Sequence, residues 1–242
     1  MSILALTALL VAGGIWQQNM RLPEAAQIEQ WSVLAGVQDK EATQALQKAA
    51  RGGSALAARA LGQIWVQRTD ETSVLEGQAL LKQAAQAGDA RADLLLGKLL
   101  FKGAPGIPAQ ATAAIPCLEA AVKGGQLGAA HYLGMIYRQD LPEQARSPEK
   151  ALHWLEVAAK AGFADSQFLL GQMIMTGDGT QAGPESARKW FEAAAEQDHP
   201  EANLQLLMAY RRNELGLKSN AEKEARQWME AQHSLRHRPA PP

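Results

Sequence analysis

The sequence predicts an all-α fold, a solenoid of about five helix-turn-helix repeats that ends in a C-terminal capping helix. The first observation is a turn-forming residue that returns every 35 to 37 residues, at Gly53, Gly88, Gly125, Gly162 and Asp198. The second is a leucine eight residues after each of these positions, at Leu61, Leu96, Leu133, Leu170 and Leu206. A period in the middle thirties is typical of stacked helical hairpins, and no segment reads as a strand.

The first helix of each repeat is predicted to end at the recurring glycine. Two small residues precede that position by four and three residues in four of the five repeats, as the alanine pairs 49–50, 84–85, 158–159 and 194–195. A glycine that follows a helix adopts the left-handed conformation without a steric penalty. Eight residues before the glycine lies a position predicted to be in the core, occupied by Ala45, Leu80, Cys117, Trp154 and Trp190.

The second helix carries the recurring leucine and, directly after it, a residue that is glycine in four repeats: Gly62, Gly97, Gly134, Gly171 and, in the fifth, Leu207. Glycine inside a helix costs about 1 kcal/mol relative to alanine. Its return at one repeat position therefore predicts closely crossing backbones. The Leu and Gly are expected to face the first helix of their own repeat.

Residues 1–20 are predicted to be a signal peptide or membrane anchor, because they are hydrophobic and contain no charged side chain. The apolar run from Ser2 to Trp16 is shorter than the roughly 20 residues that span a bilayer as a helix. The basic start of a signal peptide is also missing. The alternative is an apolar first helix that packs on the solenoid.

Residues 21–37 are predicted to form a linker with a short amphipathic helix that caps the first repeat. Its apolar residues recur at helical spacing: Ile28, Trp31, Leu34 and Val37. The repeats fill residues 38–233, and residues 234–242 are predicted to be a flexible tail. Pro116 falls well inside the first helix of repeat three, which is predicted to start late or to kink.

The segments WLEVAAKAGFADSQFLLGQMI, residues 154–174, and WFEAAAEQDHPEANLQLLMAY, residues 190–210, resemble the Sel-one-like repeat, a relative of the tetratricopeptide repeat. An aromatic residue three positions past the second glycine belongs to this pattern. Trp65, Tyr137 and Tyr210 fit it, whereas Leu100 and Ile174 depart from it. The resemblance covers residues 38–233. It implies a right-handed superhelical solenoid that binds proteins and usually catalyses nothing.

The predicted function is a non-catalytic adaptor or scaffold that binds a segment of a partner protein in the solenoid groove, at the bacterial cell envelope. One alternative is a soluble cytoplasmic adaptor. Another is an envelope-associated hydrolase, which is disfavoured because no nucleophile, base and orienting group share a recognisable arrangement. A formal net charge of −1 gives no reason to expect nucleic-acid binding. No cofactor and no small-molecule substrate are expected.

One repeat position is a candidate for recognition, and we call its acidic residues the glutamate stripe: Glu119, Glu156, Glu192 and, in the closing helix, Glu230. Equivalent positions on stacked helices line up, so the stripe is a candidate surface for a basic or helical partner segment. The alternative is that these are ordinary solvated positions, since glutamate favours helices. The closing helix is assigned because Trp228 follows Trp190 at about one repeat length.

Other residues that commonly carry chemistry have structural interpretations. The histidines lack metal-binding spacing, except that His233 and His237 lie four residues apart near the C-terminus, and these two are expected to be solvated and not to bind a metal. Cys117 is expected to be a small buried hydrophobe. Its being the single cysteine excludes membership of the disulfide-rich branch of the family. The repeated tryptophans are expected in the core, not in a ligand cage: Trp154, Trp190 and Trp228.

Overall fold

The computed structural model describes residues 22–141, 145–218 and 220–236. Within these ranges the chain forms twelve α-helices and no strand, apart from an isolated bridge between Ala104 and Ile107. The predicted all-α repeat fold is confirmed. The segment predicted as a signal or anchor, residues 1–20, lies outside the described residues, and no described helix is long and apolar enough to cross a bilayer.

The chain divides after Gln110 into two compact units. The first contains the capping helix α1 (Ala25–Gly36), repeat one with α2 (Lys40–Arg51) and α3 (Ala55–Trp65), and repeat two with α4 (Glu71–Gln86) and α5 (Ala90–Lys102). The second contains repeat three with α6 (Ala111–Lys123) and α7 (Ala129–Tyr137), repeat four with α8 (Pro148–Lys160) and α9 (Ala164–Thr176), repeat five with α10 (Pro184–Ala195) and α11 (Pro200–Arg212), and the closing helix α12 (Ala221–Arg236).

The capping helix α1 packs on α2 and α3, as the sequence predicts, but through a narrower face. Ile28 and Ala35 are buried, whereas Leu34 and Val37 are exposed. Ile28 and Ala35 are seven residues apart, which is about two helical turns, so they lie on one line along the helix. The prediction that Leu34 and Val37 contribute to this face is wrong.

The recurring turn behaves as predicted in all five repeats. The four glycines have φ between +85° and +94°, and Asp198 has φ +58°. In each case the residue after the turn residue donates its N–H to the carbonyl of the residue five positions earlier in the chain; Phe163 N–H to Ala158 O, at 3.2 Å, is one example. These bonds satisfy carbonyls that the end of the first helix leaves without partners.

The core position of each first helix lies one residue later than predicted. The side chains that are fully buried there are Leu46, Leu81, Leu118, Leu155 and Phe191. Cys117, Trp154 and Trp190 are only partly buried, so their assignment to the core is wrong. One residue turns a helix by about 100°, which moves the preceding side chain from the interior to its edge.

Three of the second-helix glycines face the next repeat, not their own first helix. Each of the three lies against the buried core side chain that follows, in the pairs Gly62 with Leu81, Gly134 with Leu155 and Gly171 with Phe191. A Cβ atom added at Gly134 would lie 2.6 Å from Leu155 Cγ. At these three places the predicted close approach therefore exists, but it joins successive repeats, and the second helix packs more extensively on the following first helix than on its own.

Helix α6 continues through Pro116 and does not start late. It begins at Ala111, seven residues before its core residue Leu118, and α8 begins at the same distance before Leu155. Pro116 is exposed, so its ring lies outside the helix–helix contacts. The predicted late start of repeat three is therefore wrong.

The closing helix α12 packs in a different register from the one predicted. It buries Gln227, Ala231 and Ser234, while Trp228 is 46% and Met229 63% exposed. Hydrogen bonds explain why these residues of α12 are the buried ones. Gln227 Nε2 donates to Asn203 Oδ1 at 2.8 Å, and Asn203 Nδ2 donates to Ser234 Oγ at 3.3 Å. Buried amides need partners, and the observed register supplies them. The prediction that Trp228 is a core residue is wrong.

An ion pair links the two repeats of the first unit and makes a testable prediction. Arg59 Nε donates to Asp89 Oδ2 at 2.8 Å, and Asp89 Oδ1 accepts from the N–H groups of Arg91 and Ala92 at the start of α5. We expect Asp89→Ala to lower the free energy of unfolding by about 1 kcal/mol through the lost cap, and further through the lost pair. Asp89→Asn keeps a capping oxygen and should cost less in urea unfolding. Equal losses for Asp89→Ala and Asp89→Asn would show that the capping oxygen contributes nothing to stability.

Candidate functional site

A cleft of about 310 Å³ lies in the first unit between the first helices α2 and α4, with α3 at its floor. Its volume falls at the lower end of the range for binding pockets. We call it the α2–α4 cleft. Its lining residues are Gln47, Ala50 and Arg51 from α2, Leu61 and Trp65 from α3, and Glu76, Ala79, Leu80 and Gln83 from α4.

A hydrogen bond holds the two walls of the cleft together, and the cleft offers both apolar and charged contacts. Gln83 Nε2 on α4 donates to the Ala50 carbonyl on α2 at 2.8 Å. Arg51 and Glu76 form no ion pair with another described residue. The cleft thus presents one cation and one anion beside the apolar Leu80, an arrangement typical of an interface and not of a packed core.

Trp65 is the most unusual residue of the cleft. It is 7% exposed, and its indole Nε1 is buried without a hydrogen-bond partner in the described structure. The guanidinium of Arg68 lies 5.9 Å from the centroid of its ring. Nearly all buried polar groups in proteins have partners, so an orphaned N–H needs an explanation. The sequence marked Trp65 as a repeat aromatic but carried no signal for the orphaned donor, which depends on packing.

A second hollow in the first unit, of about 690 Å³, has a different character. Its lining consists of polar and charged side chains near the starts of α2 and α4: Gln38, Lys40, Thr43, Gln44, Gln67, Arg68, Thr69 and Asp70. Asp70 caps α4, and hydrogen bonds from Ser73 lower the pKa of its carboxyl group. Because no apolar residue lines it, this hollow is less suited than the α2–α4 cleft to hold a partner segment.

The second unit repeats part of the cleft's chemistry. Tyr137 holds the repeat position of Trp65, and Lys150 Nζ lies 5.1 Å from its ring centroid. Burial, and to a smaller extent the Glu119 carboxylate, raises the pKa of the Tyr137 hydroxyl. Gln47, which has the repeat position of Glu119, lines the α2–α4 cleft.

The structure places three members of the glutamate stripe at one repeat position and the fourth elsewhere. Glu119, Glu156 and Glu192 each directly follow the buried core residue of their helix. Glu230 does not, because α12 packs in another register. Three stripe residues form ion pairs within their own helices: Glu156 with Lys160 at 2.7 Å, Glu192 with Arg188 at 3.5 Å and Glu230 with Arg226 at 3.0 Å. Such exposed pairs are weak, so a partner can replace them.

Two of the other histidines have structural roles. His131 Nδ1 lies 2.9 Å from Ser166 Oγ, and burial lowers the pKa of its imidazole, with Asp165 opposing the shift. His199 is 9% exposed; its ring stacks on Phe168 and its Nδ1 accepts from an N–H at the start of α11. Ser166 is fully buried, so the His131–Ser166 pair links repeats three and four through a hydroxyl group that is closed to solvent.

No group of three potential ligand side chains converges on a metal-binding geometry among the described residues. His233 lies on the exposed side of α12, and His237 lies outside the described ranges. Cys117 is partly buried at the edge of α6. In the first unit, the structure offers one cleft between successive first helices with mixed apolar and charged walls, the α2–α4 cleft.

These features define an all-α helical-repeat protein. A family model for the Sel1 repeat matches residues 90–126, 128–163 and 164–199. Residues 90–199 therefore contain three Sel1 repeats, as the resemblance predicted. The matched segments 128–163 and 164–199 each pair a second helix with the following first helix, which is also the pair joined by the glycine contacts. Sel1 repeats are generally non-catalytic protein-interaction modules.

Solved structures share this fold. A Sel1 repeat protein from Oxalobacter formigenes superimposes with a TM-score of 0.65 at 23% identity, over 78% of this chain and 75% of that one. A protective antigen of uropathogenic Escherichia coli strains that displays an SLR fold gives 0.66 at 23% identity, over 82% of this chain and 45% of that one. At 23% sequence identity, these two similarities support the fold alone.

Curated relatives match shorter segments. The alginate biosynthesis protein AlgK of Pseudomonas syringae pv. tomato is 34% identical over 122 residues, half of this chain and 25% of that protein. Chitin synthase regulatory factor 3 of Schizosaccharomyces pombe is 32% identical over 131 residues, which are 52% of this chain and 14% of that protein. An exopolysaccharide production negative regulator of Rhizobium leguminosarum bv. viciae is 39% identical over 49 residues, which are 20% of this chain and 18% of that protein. This chain therefore spans a quarter or less of each relative.

Proposed function

We propose that this protein is a non-catalytic adaptor of the bacterial cell envelope that binds a segment of a partner protein along its first helices. The observation that carries the proposal is the α2–α4 cleft, which offers apolar, cationic and anionic contacts on one preformed surface. A preformed surface reduces the ordering cost of binding. The position of Gln47 in the cleft supports a groove-facing orientation for Glu119, Glu156 and Glu192.

Two observations support the envelope as the location. The names of the three relatives concern alginate biosynthesis, chitin synthase regulation and exopolysaccharide production. Residues 1–20 have the uncharged, apolar composition of a signal or anchor. We therefore propose a partner within an assembly that makes or regulates a polysaccharide at the cell surface. The competing proposal is a cytoplasmic adaptor, in which residues 1–20 belong to the folded protein.

A crosslinking pull-down from the native cells tests the location. The full chain is compared with residues 22–242, and recovered proteins are assigned to envelope and soluble fractions. If the full chain recovers envelope proteins that the shortened chain loses, residues 1–20 place the adaptor at the membrane. If both recover the same soluble proteins, the envelope proposal is wrong and the cytoplasmic alternative replaces it.

Charge reversal tests the glutamate stripe. We expect Glu156→Lys combined with Glu192→Lys to weaken binding of the recovered partner by about three- to thirtyfold, from about 0.3–1 kcal/mol per lost pair. The matched control is Glu196→Lys with Glu214→Lys, which changes the net charge equally at exposed positions off the stripe. Binding is measured by surface plasmon resonance at low and high salt. Equal binding by both double variants would exclude the stripe from the interface.

A further inference from the structure

We infer that the α2–α4 cleft binds its partner in an extended conformation and recognises a free backbone carbonyl through Trp65. This inference rests on the proposed function and adds the conformation and chemistry of the bound segment. The indole Nε1 donates to the carbonyl, a basic side chain of the segment pairs with Glu76, and an acidic one pairs with Arg51. Leu80 supplies the apolar contact between them.

The orphaned indole N–H is the observation that points to a ligand. Trp65 is more than nine-tenths buried and belongs to the cleft lining, yet its donor has no acceptor in the described structure. The nitrogen itself is shielded from solvent, so a lining side chain must turn aside before an acceptor reaches it. Gln47 and Glu76 are long and form no hydrogen bond with another described residue, which leaves them free to move.

The chemistry of the donor selects the conformation of the segment. An indole can only donate, so its partner must be an acceptor. Inside an α-helix each backbone carbonyl already accepts the N–H four residues later, and no free acceptor faces the surface. An extended segment keeps its carbonyls free and directs alternate side chains to opposite sides. It can therefore place a carbonyl on Trp65 while its side chains contact the two walls.

The charges on the cleft make the segment's composition specific. Arg51 and Glu76 lack ion-pair partners in the described part of the chain, and both line the cleft. A segment with charges of one sign would meet repulsion from one of these side chains. A segment with one basic and one acidic residue satisfies both, and complementary charges increase specificity. The cleft volume of about 310 Å³ suits a few residues of a segment and not a whole helix.

A phage library of random 12-residue peptides, selected on the immobilised full chain, tests this inference. We expect enriched peptides that combine a basic and an acidic residue. A synthetic enriched peptide should bind Trp65→Phe about three- to tenfold more weakly, as the loss of one hydrogen bond predicts. Glu76→Lys should also weaken it. The controls Trp31→Phe and Glu29→Lys, which lie outside the cleft, should bind normally. Thermal melts confirm that each variant is folded.

A measurement on the unmodified chain avoids dependence on the variants. In a ¹H–¹⁵N spectrum, the Trp65 indole signal, assigned by its absence in Trp65→Phe, should move downfield when the peptide binds. An unmoved signal, or tighter binding by a peptide stapled into a helix, would overturn the inference. If peptides bind but respond to the Glu156 and Glu192 reversals and not to Trp65→Phe, the inference fails and the adaptor function stands. If no peptide is enriched on this chain above the level found on an unrelated protein, both the inference and the proposed adaptor function fail.

Discussion

Gly171→Leu is expected to lower the free energy of unfolding by about 1–3 kcal/mol, through overpacking between repeats four and five. A Cβ atom at Gly171 would lie 2.8 Å from Cε1 and 2.9 Å from Cδ1 of Phe191. Phe191 is fully buried, so its ring has no open space to turn into. The leucine side chain must therefore push α9 and α10 apart. Urea unfolding followed by circular dichroism measures the loss.

The matched control is Gly36→Leu at the end of α1. No atom lies within 4 Å of a Cβ built at Gly36, and the residue is helical. Leucine favours a helix over glycine by somewhat under 1 kcal/mol, so this variant should be neutral or slightly more stable. If Gly171→Leu and Gly36→Leu change stability alike, the close contact with Phe191 does not exist in solution.

Phe191→Ala should have the largest effect of any single change considered, a loss of about 3–5 kcal/mol. The ring is fully buried and contacts both Gly171 and Phe168, whose ring centroid lies 5.8 Å away. Removing it leaves a cavity between two repeats. Trp190→Ala removes a larger but only partly buried side chain and should cost less. A larger loss of stability for Trp190→Ala than for Phe191→Ala would show that Trp190 is the core residue of this helix.

The double variant Gly171→Leu with Phe191→Ala tests whether the two residues share one space. In it the leucine can occupy part of the volume that the phenylalanine left. We expect a loss smaller than the sum of the single losses, with a coupling of about 0.5–3 kcal/mol, the range for residues in contact. Additive losses would show that the two changes act at separate sites.

Local features of the fold were predictable from the sequence. The turn at Gly53 and its four equivalents depends on a few adjacent residues, and the glycine at four of the five positions adopts the positive φ without a steric penalty. The helices on either side follow from the same short pattern. The aromatic position of Trp65 and Tyr137 was also identified, and both residues are buried. These predictions required no knowledge of which helix packs on which.

Non-local features were not predictable in the same way. The sequence predicted a close approach at Gly171 but could not show that its partner is Phe191 of the next repeat. The large side chain of Trp190 suggested a core residue, although the helix turns its neighbour inward. In α12, the hydrogen bonds of Gln227 outweigh the hydrophobicity of Trp228. The orphaned N–H of Trp65 likewise follows from three-dimensional packing.

The contacts between second-helix glycines and the following core residues decide how such a chain can gain or lose repeats during evolution. A duplicated segment that runs from one turn glycine to the next, such as residues 126–162, carries Gly134 together with Leu155. A segment cut in the connection after the second helix would join Gly134 to a foreign neighbour of another size. Gene rearrangements that preserve the fold should therefore have their junctions at the turn glycines, within the hairpins and not between them.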